Sequence, residues 1–490
     1  MICRKVKLYY TISLFLHLRK PGDYGIIKEY NIFIEFKELK ELLYTDLIFI
    51  YAFLPITVLL TMCDRSTEYK NLILVLSSVV FFSWGKPFYI CFLFLSVVFD
   101  WVFGFLAGSR SKAVKFVGVM LSAAMNITLF VTVNYNFLFA STPIALEHTV
   151  IPVGMAFYSV RGLSYVFDVA FQRIRPERNL FCLITYMINY TLFLAGPVVR
   201  YGDIKDQIRS RAITGKKLND GITRFIVGLG KASIIAAALG YVKNVGLDVT
   251  NMTFFGALLG MAAFAAQVYF LFSGYTDMAL GLGLLNGFEY DENFIPLKVK
   301  NGVSGAVFGF NHTLMRFVND SLISPLSKSP FSAFAAALAS SVLVGLWYGF
   351  GKQYIIFGLY FGLFVIIETL GLRKLIAKLP RVISGLYTLI VLFFGWSIVY
   401  FSDFAGYKTW LFGLMFKRGI ISDALLDEIY AYCALLVFAV FMLTPFKDKL
   451  KHSIENAAAK SERAYGVVRI LSTAGLLAVL LMSTASRVVY

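Results

Sequence analysis

Histidine is nearly absent from this chain: four in 490 residues, at His17, His148, His312 and His452. Cysteine is scarcely commoner. Cys3, Cys63, Cys91, Cys182 and Cys433 are an odd number, widely scattered, with no Cys-x-x-Cys pair. That scatter excludes a disulfide framework and a metal site built on a Cys/His cluster, and it leaves no thiol beside a histidine that could activate it. The cysteines read as small buried residues instead. Charge is also thin, at 15% of the residues, with 46 basic against 29 acidic side chains and a net charge of +17. In a soluble domain such an excess would suggest nucleic acid. Here Lys and Arg fall in short loops, at Arg110–Lys115, Arg173–Arg178, Arg200–Lys217, Arg373–Arg381 and Lys447–Lys451. That is the charge bias of membrane topology, and no nucleic-acid partner is expected.

What is abundant is apolar: 58% hydrophobic and 17% aromatic residues. They come in runs of roughly 17–25, long enough to cross a bilayer, and they do not alternate as barrel strands would. The sequence therefore predicts an all-α polytopic membrane protein. Apolar segments, some shorter than that, fall at Leu47–Cys63, Asn71–Ser83, Phe88–Gly108, Val114–Ala140, Ile151–Asp168, Leu180–Leu194, Gly221–Tyr241, Asn251–Phe272, Gly385–Phe401, Ala431–Leu443 and Val467–Leu481. Trp84-Gly-Lys-Pro87 predicts a bent or re-entrant element, because Gly and Pro free backbone groups that need other partners. Asp100 lies inside a run and reads as a structural hydrogen-bonding group facing the protein interior. Asp277 and Glu368 are isolated in sequence, without the paired charges a transporter would need. Residues 1–43 form an N-terminal extension, either an interfacial segment or a misplaced start, since Arg19-Lys20-Pro21 is no signal-peptide cleavage site. Residues 44–490 form one membrane domain without internal repeats.

Four stretches carry more than topology. Gly345-Leu-Trp-Tyr-Gly349 leads into Phe350-Gly-Lys-Gln-Tyr-Ile-Ile-Phe-Gly-Leu-Tyr-Phe-Gly362, with glycines that permit close backbone packing around large aromatics. Phe272-Ser-Gly-Tyr-Thr-Asp-Met-Ala-Leu-Gly-Leu-Gly283 precedes Glu292-Asn-Phe294. Ile151-Pro-Val-Gly-Met-Ala-Phe-Tyr-Ser-Val-Arg161 is followed by Ala195-Gly-Pro-Val-Val-Arg-Tyr201. Together these resemble the membrane-bound O-acyltransferase (MBOAT) family, in its bacterial branch of alginate O-acetyltransferases and D-alanyl transfer proteins. That family reads Gly-Leu-Trp-His-Gly, Asp-Phe-Ser-Gly-Tyr-Ser-Asp-Met-Ala-Ile-Gly-Leu-Gly, Pro-Glu-Asn-Phe, Leu-Pro-Val-Gly-Ile-Ser-Phe-Tyr-Thr-Phe-Gln and Ala-Gly-Pro-Ile-x-Arg-Tyr.

The resemblance implies an MBOAT-type bundle of about eleven transmembrane or re-entrant helices around a central funnel. It implies transfer of an acetyl or D-alanyl group to hydroxyls of an extracytoplasmic polysaccharide or teichoic-acid-like polymer, at a multi-pass protein of the bacterial cytoplasmic membrane. No bound cofactor is expected; acyl-CoA or an acyl carrier protein is the co-substrate. A periplasmic or extracellular acyltransfer partner and membrane lipid complete the expected partners. The family's catalytic histidines fall on Tyr348 and, without gaps, on Asn311, and Phe361 stands at a further histidine position. His312 follows Asn311, turned about 100° away if the helix is continuous. Tyr348, Asn311 and His312 are the catalytic candidates, and Trp347, Ser273, Tyr275, Asp277 and Arg200 the substrate-binding ones. A tyrosine, with a pKa of about 10, is a poor base but a good hydrogen-bond donor to an oxyanion. The alternative is a lapsed MBOAT fold that binds a lipid, carrier or partner.

Overall fold

The computed structural model describes residues 42–84, 89–134, 155–193, 196–295, 302–349, 351–444, 449, 453 and 462–489. The N-terminal extension up to residue 41, the proposed bend at 85–88, the opening of the Ile151–Asp168 run at 151–154 and most of the Lys447–Lys451 loop lie outside them.

Helices account for nearly all of it, and among the described residues the only strand-like pairing is one antiparallel bridge between Phe294 and Phe310. In chain order they are α1 (Leu54–Met62), α2 (Thr67–Ser83), α3 (Tyr89–Ala107), α4 (Lys112–Asn134), α5 (Met155–Ala170), α6 (Leu180–Met187), α7 (Tyr201–Arg209) and α8 (Gly215–Gly246). There follow α9 (Phe254–Leu285), α10 (Gly302–Gly309), α11 (His312–Val318), α12 (Pro330–Tyr348), α13 (Lys352–Lys378), α14 (Arg381–Tyr400), α15 (Phe404–Gly413), α16 (Asp423–Leu443) and α17 (Glu462–Val489). Polar caps start several of them: Ser66, Thr214, Asp403 and Ser422 each accept a backbone N–H, and Ser329 and Ser332 form a reciprocal capping box. Nine helices among the described residues are long and apolar enough to cross a membrane. Their outward side chains, such as Phe116, Leu370 and Val382, are exposed, as lipid-facing residues are.

Two details correct the sequence reading. The Leu180–Leu194 run does not span. It is the eight-residue α6 followed by a 3-10 turn at Tyr190–Leu192. The helix ends at Ile188, Asn189 Oδ1 accepts from Thr191 N–H to start the 3-10 turn, and Tyr190 N donates to Ser78 Oγ at 3.0 Å, so this apolar run is buried in protein instead of lipid. Of the described cysteines, only Cys182 is buried; Cys63, Cys91 and Cys433 lie exposed on the helices.

The helices group into two packed units. The smaller comprises Ile235–Val268 and Tyr400–Val468. Within it the second half of α8 packs on α16, and the fully buried Trp410 of α15 donates Nε1–H to the Ala257 carbonyl at 3.0 Å.

The larger unit holds the described residues of 38–234, 269–399 and 469–490. There α3, α4 and α5 pack against one another. Asp100 is held between them by Ser122 Oγ (2.7 Å) and Asn126 Nδ2 (3.0 Å), the hydrogen-bonded role expected of it. α12 and α13 form an antiparallel hairpin. A Cβ on Gly345 would run into the Tyr354 carbonyl, and one on Gly358 into the Ser341 carbonyl, so the two backbones meet where only hydrogen fits. Gly358→Ala is expected to force them apart and lower stability by about 1–3 kcal/mol, read as an earlier thermal transition in detergent.

Candidate functional site

Gly302–Val318 would be one helix but for Asn311, whose φ of 59° and ψ of 53° are left-handed. Asparagine tolerates that conformation better than most residues. A clip imposes it. Ile295 N donates to Gly309 O (2.9 Å) and His312 N to Asn293 O (2.8 Å), holding 293–295 antiparallel to 309–312. Asn293 Oδ1 then receives both Thr313 N (3.1 Å) and Thr313 Oγ1 (2.6 Å). The continuous helix assumed for the angle between Asn311 and His312 is therefore broken, yet the two side chains still part. Asn311 is 2% exposed, with an Oδ1 that has no hydrogen-bond partner among the described residues. His312 is only partly buried, and its Nδ1 lies 3.2 Å from the Phe308 carbonyl. A carbonyl can only accept, so Nδ1 is the donor in this contact.

Tyr348 is the last residue of α12, 8% exposed and within interaction range of the Asn311 amide. Its ring meets Phe272 (6.1 Å), Phe310 (6.2 Å) and Phe357 (6.3 Å). Trp396 touches Phe310 and Phe357, and Phe361 packs edge-on against Phe357 at 4.9 Å. Phe272 lies near the middle of the 32-residue α9, which is about 48 Å long at about 1.5 Å per residue. The Tyr348–Asn311 pair is thus a polar spot in an aromatic box, beside the middle of α9. Three polar groups brought there were not singled out from the sequence: Asn293, Thr313 and Thr276, whose Oγ1 is 3.4 Å from Asn293 Nδ2. The signal for the first was the Glu292-Asn-Phe294 match.

The remaining candidates have other surroundings. Trp347 stands edge-on to Phe157 at 5.1 Å, against an apolar cluster of Val160, Val198, Leu314 and Met315. Ser273 Oγ turns to the Phe270 carbonyl of its own helix, and Tyr275 packs near Tyr44. Asp277 is paired, not isolated. α8 and α9 approach through Gly228, where a Cβ would come within 2.5 Å of the Gly274 carbonyl, and through Gly281, 2.7 Å from the Gly221 carbonyl. That contact places Lys231 Nζ 2.5 Å and Arg224 Nη2 3.0 Å from the Asp277 carboxylate, with Glu292 on the far side of Arg224. Arg200 is equally committed, to Asp320 (2.9 Å), Asp168 (3.9 Å) and the Arg316 carbonyl (3.0 Å).

Arg200 borders a small cleft of about 30 Å³, shared with Asp203, Glu289, Tyr290, Asp291 and Arg316. Burial pushes the Tyr290 hydroxyl up to about 12, so it remains a donor. Burial also raises the Asp203 carboxyl above its usual range, more than Arg316 lowers it. A raised carboxyl favours folding most below its unfolded pKa, and that contribution is lost as pH rises through the folded value. Asp203→Asn is therefore expected to melt later than the parent protein at pH 7 and alongside it near pH 3.

Comparison with known proteins bears on this arrangement. The membrane-bound O-acyltransferase (MBOAT) family profile matches residues 34–401. The chain belongs to that family. This MBOAT protein is 29% identical over 455 residues to a Pseudomonas aeruginosa protein described as a probable alginate O-acetylase, AlgI, covering 86% of this chain and 85% of the relative. It is 25% identical over 404 residues to a Helicobacter pylori peptidoglycan O-acetyltransferase, covering 72% and 76%. It is 25% identical over 279 residues to a Bacillus subtilis teichoic acid D-alanyltransferase, covering 52% and 69%. The MBOAT assignment and the nine spans make it a multi-pass membrane protein.

Proposed function

We propose that this MBOAT protein transfers an acyl group, acetyl or D-alanyl, from a thioester donor to hydroxyls of an extracytoplasmic polymer at Tyr348 and Asn311. The observation that carries the reading is the buried Tyr348 hydroxyl within reach of the Asn311 amide, whose Oδ1 has no hydrogen-bond partner among the described residues, inside a box of aromatic rings. Relatives described as acting on alginate, peptidoglycan and teichoic acid support the class of acceptor.

The chemistry is the attack of an alcohol on a thioester. The acceptor oxygen bonds to the acyl carbon, the carbon–sulfur bond breaks, and the hydroxyl proton ends on the departing thiol sulfur. Tyr348 donates a hydrogen bond to the carbonyl oxygen as charge gathers on it, and the apolar walls strengthen that bond. Asn311 Oδ1 accepts from the attacking hydroxyl and orients it; an amide cannot remove the proton. The donor is an acyl-CoA or an acyl carrier protein.

A second reading is a chain that keeps the fold and binds a carrier, lipid or partner without transfer. It is favoured by one feature: the described neighbours of Tyr348 are Asn311 and aromatic rings, none of them a base at neutral pH. Washed membranes with and without the chain, supplied with labelled acetyl or D-alanyl thioester, separate the two. Label in polymer only where the chain is present supports transfer. Equal label in both supports binding alone.

A further inference from the structure

Arg161 of α5 is 1% exposed and uses only part of its hydrogen-bonding capacity. Nη1 donates to the Tyr186 carbonyl at 3.3 Å, whereas Nε and Nη2 are buried without a partner among the described residues. None of the ion pairs among the described residues includes it. Four tyrosines, Tyr186, Tyr158, Tyr290 and Tyr44, lie within electrostatic reach of it, and the guanidinium carbon stands over the Tyr158 ring, 6.0 Å from its centre.

Those phenols do not neutralise it. A tyrosine is uncharged at pH 7, and each hydroxyl is already engaged. Tyr44 donates to the Tyr190 carbonyl and Tyr186 to the Val199 carbonyl (2.9 Å). Tyr158 is held by Ser96 Oγ and the Leu93 carbonyl, and Tyr290 by Thr191 and Asn189. One turn further along α5, Ser164 Oγ is also buried without a partner among the described residues. A guanidinium stays protonated in proteins, and a buried cation that finds neither counter-charge nor full hydrogen bonding among the described residues needs a further partner.

We propose that a small monovalent anion, chloride being the simplest, binds at Arg161 and completes this site. Nε–H and Nη2–H supply the donors, and Ser164, three residues on along α5, offers a third. The size limit follows from the walls, since Tyr44, Tyr158 and Tyr186 are all fully buried. The position also differs chemically from the family pattern, whose Phe-Tyr-Thr-Phe-Gln carries a neutral amide where this chain has Phe157-Tyr-Ser-Val-Arg161.

The test uses the full chain in detergent at constant ionic strength, with gluconate replaced stepwise by chloride. A saturable rise in melting temperature of roughly 2–5 °C is expected, by the linkage of binding to stability. Arg161→Gln should melt at one temperature throughout. A parent protein indifferent to chloride overturns the proposal, as does an Arg161→Gln protein that keeps the same rise. If that variant does not fold, crystals of the parent protein grown in bromide decide. An anomalous peak within hydrogen-bond reach of the Arg161 guanidinium is the expected result, and no peak there is the contrary one.

Discussion

Tyr348→Phe is expected to lower acyl transfer by roughly 10²–10³-fold while leaving the fold intact, the range seen when one oxyanion donor is removed. The change deletes a single oxygen. The ring keeps its contacts with Phe272, Phe310 and Phe357, which carry the packing. Since the hydroxyl contributes chiefly when charge builds on the acyl oxygen, the loss should fall on kcat more than on KM. The measurement is transfer of labelled acyl groups by purified protein, with thermal unfolding as the control. A loss confined to KM would make Tyr348 a ground-state binding residue. An unchanged rate would send the search to His312, the histidine beside Asn311, and His312→Ala would be the next variant.

Glu368→Ala is expected to be the most destabilising single substitution among the charged residues discussed here. Glu368 is 1% exposed, and its carboxylate receives Val303 N (2.8 Å), Ser304 N (2.7 Å), Ser304 Oγ (2.5 Å) and the Tyr387 hydroxyl (3.1 Å). It thereby caps the N-terminus of α10, the helix that delivers Phe310 and Asn311 to Tyr348. Removing it orphans buried donors inside a membrane protein, where water cannot replace the partner, at a cost on the order of 3–5 kcal/mol. Glu368→Gln retains one acceptor but turns an amide N–H₂ towards other donors, so it should fall between the two. Unfolding in detergent reads the order: parent, then Gln, then Ala. A Glu368→Ala protein that melts with the parent would mean the cap is dispensable.

Much of this molecule was legible in its residues. The apolar runs announced the spans, and the glycines of Gly345–Gly362 announced the close α12–α13 contact because that contact requires missing side chains. What stayed hidden depends on partners distant in the chain. Asp277 looked isolated because Arg224 stands 53 residues away and Lys231 46 residues away, both on the preceding helix. The left-handed Asn311 is imposed by 293–295, which no helical periodicity around 302–318 could reveal. Leu180–Leu194 passed for a span because burial in protein and burial in lipid leave the same apolar signature. Arg161 sat in plain view within a recognised motif, but that no described residue supplies it a counter-charge is visible only once the chain is folded.

The most direct measurement is the release of acyl groups from envelope polymer by mild base, in otherwise identical cells carrying the intact chain, Tyr348→Phe or a deletion. Catalysis at Tyr348 predicts that released ester falls in both altered strains, with Tyr348→Phe still present in the membrane at its normal level. Full release from the Tyr348→Phe strain, with loss only on deletion, would contradict it.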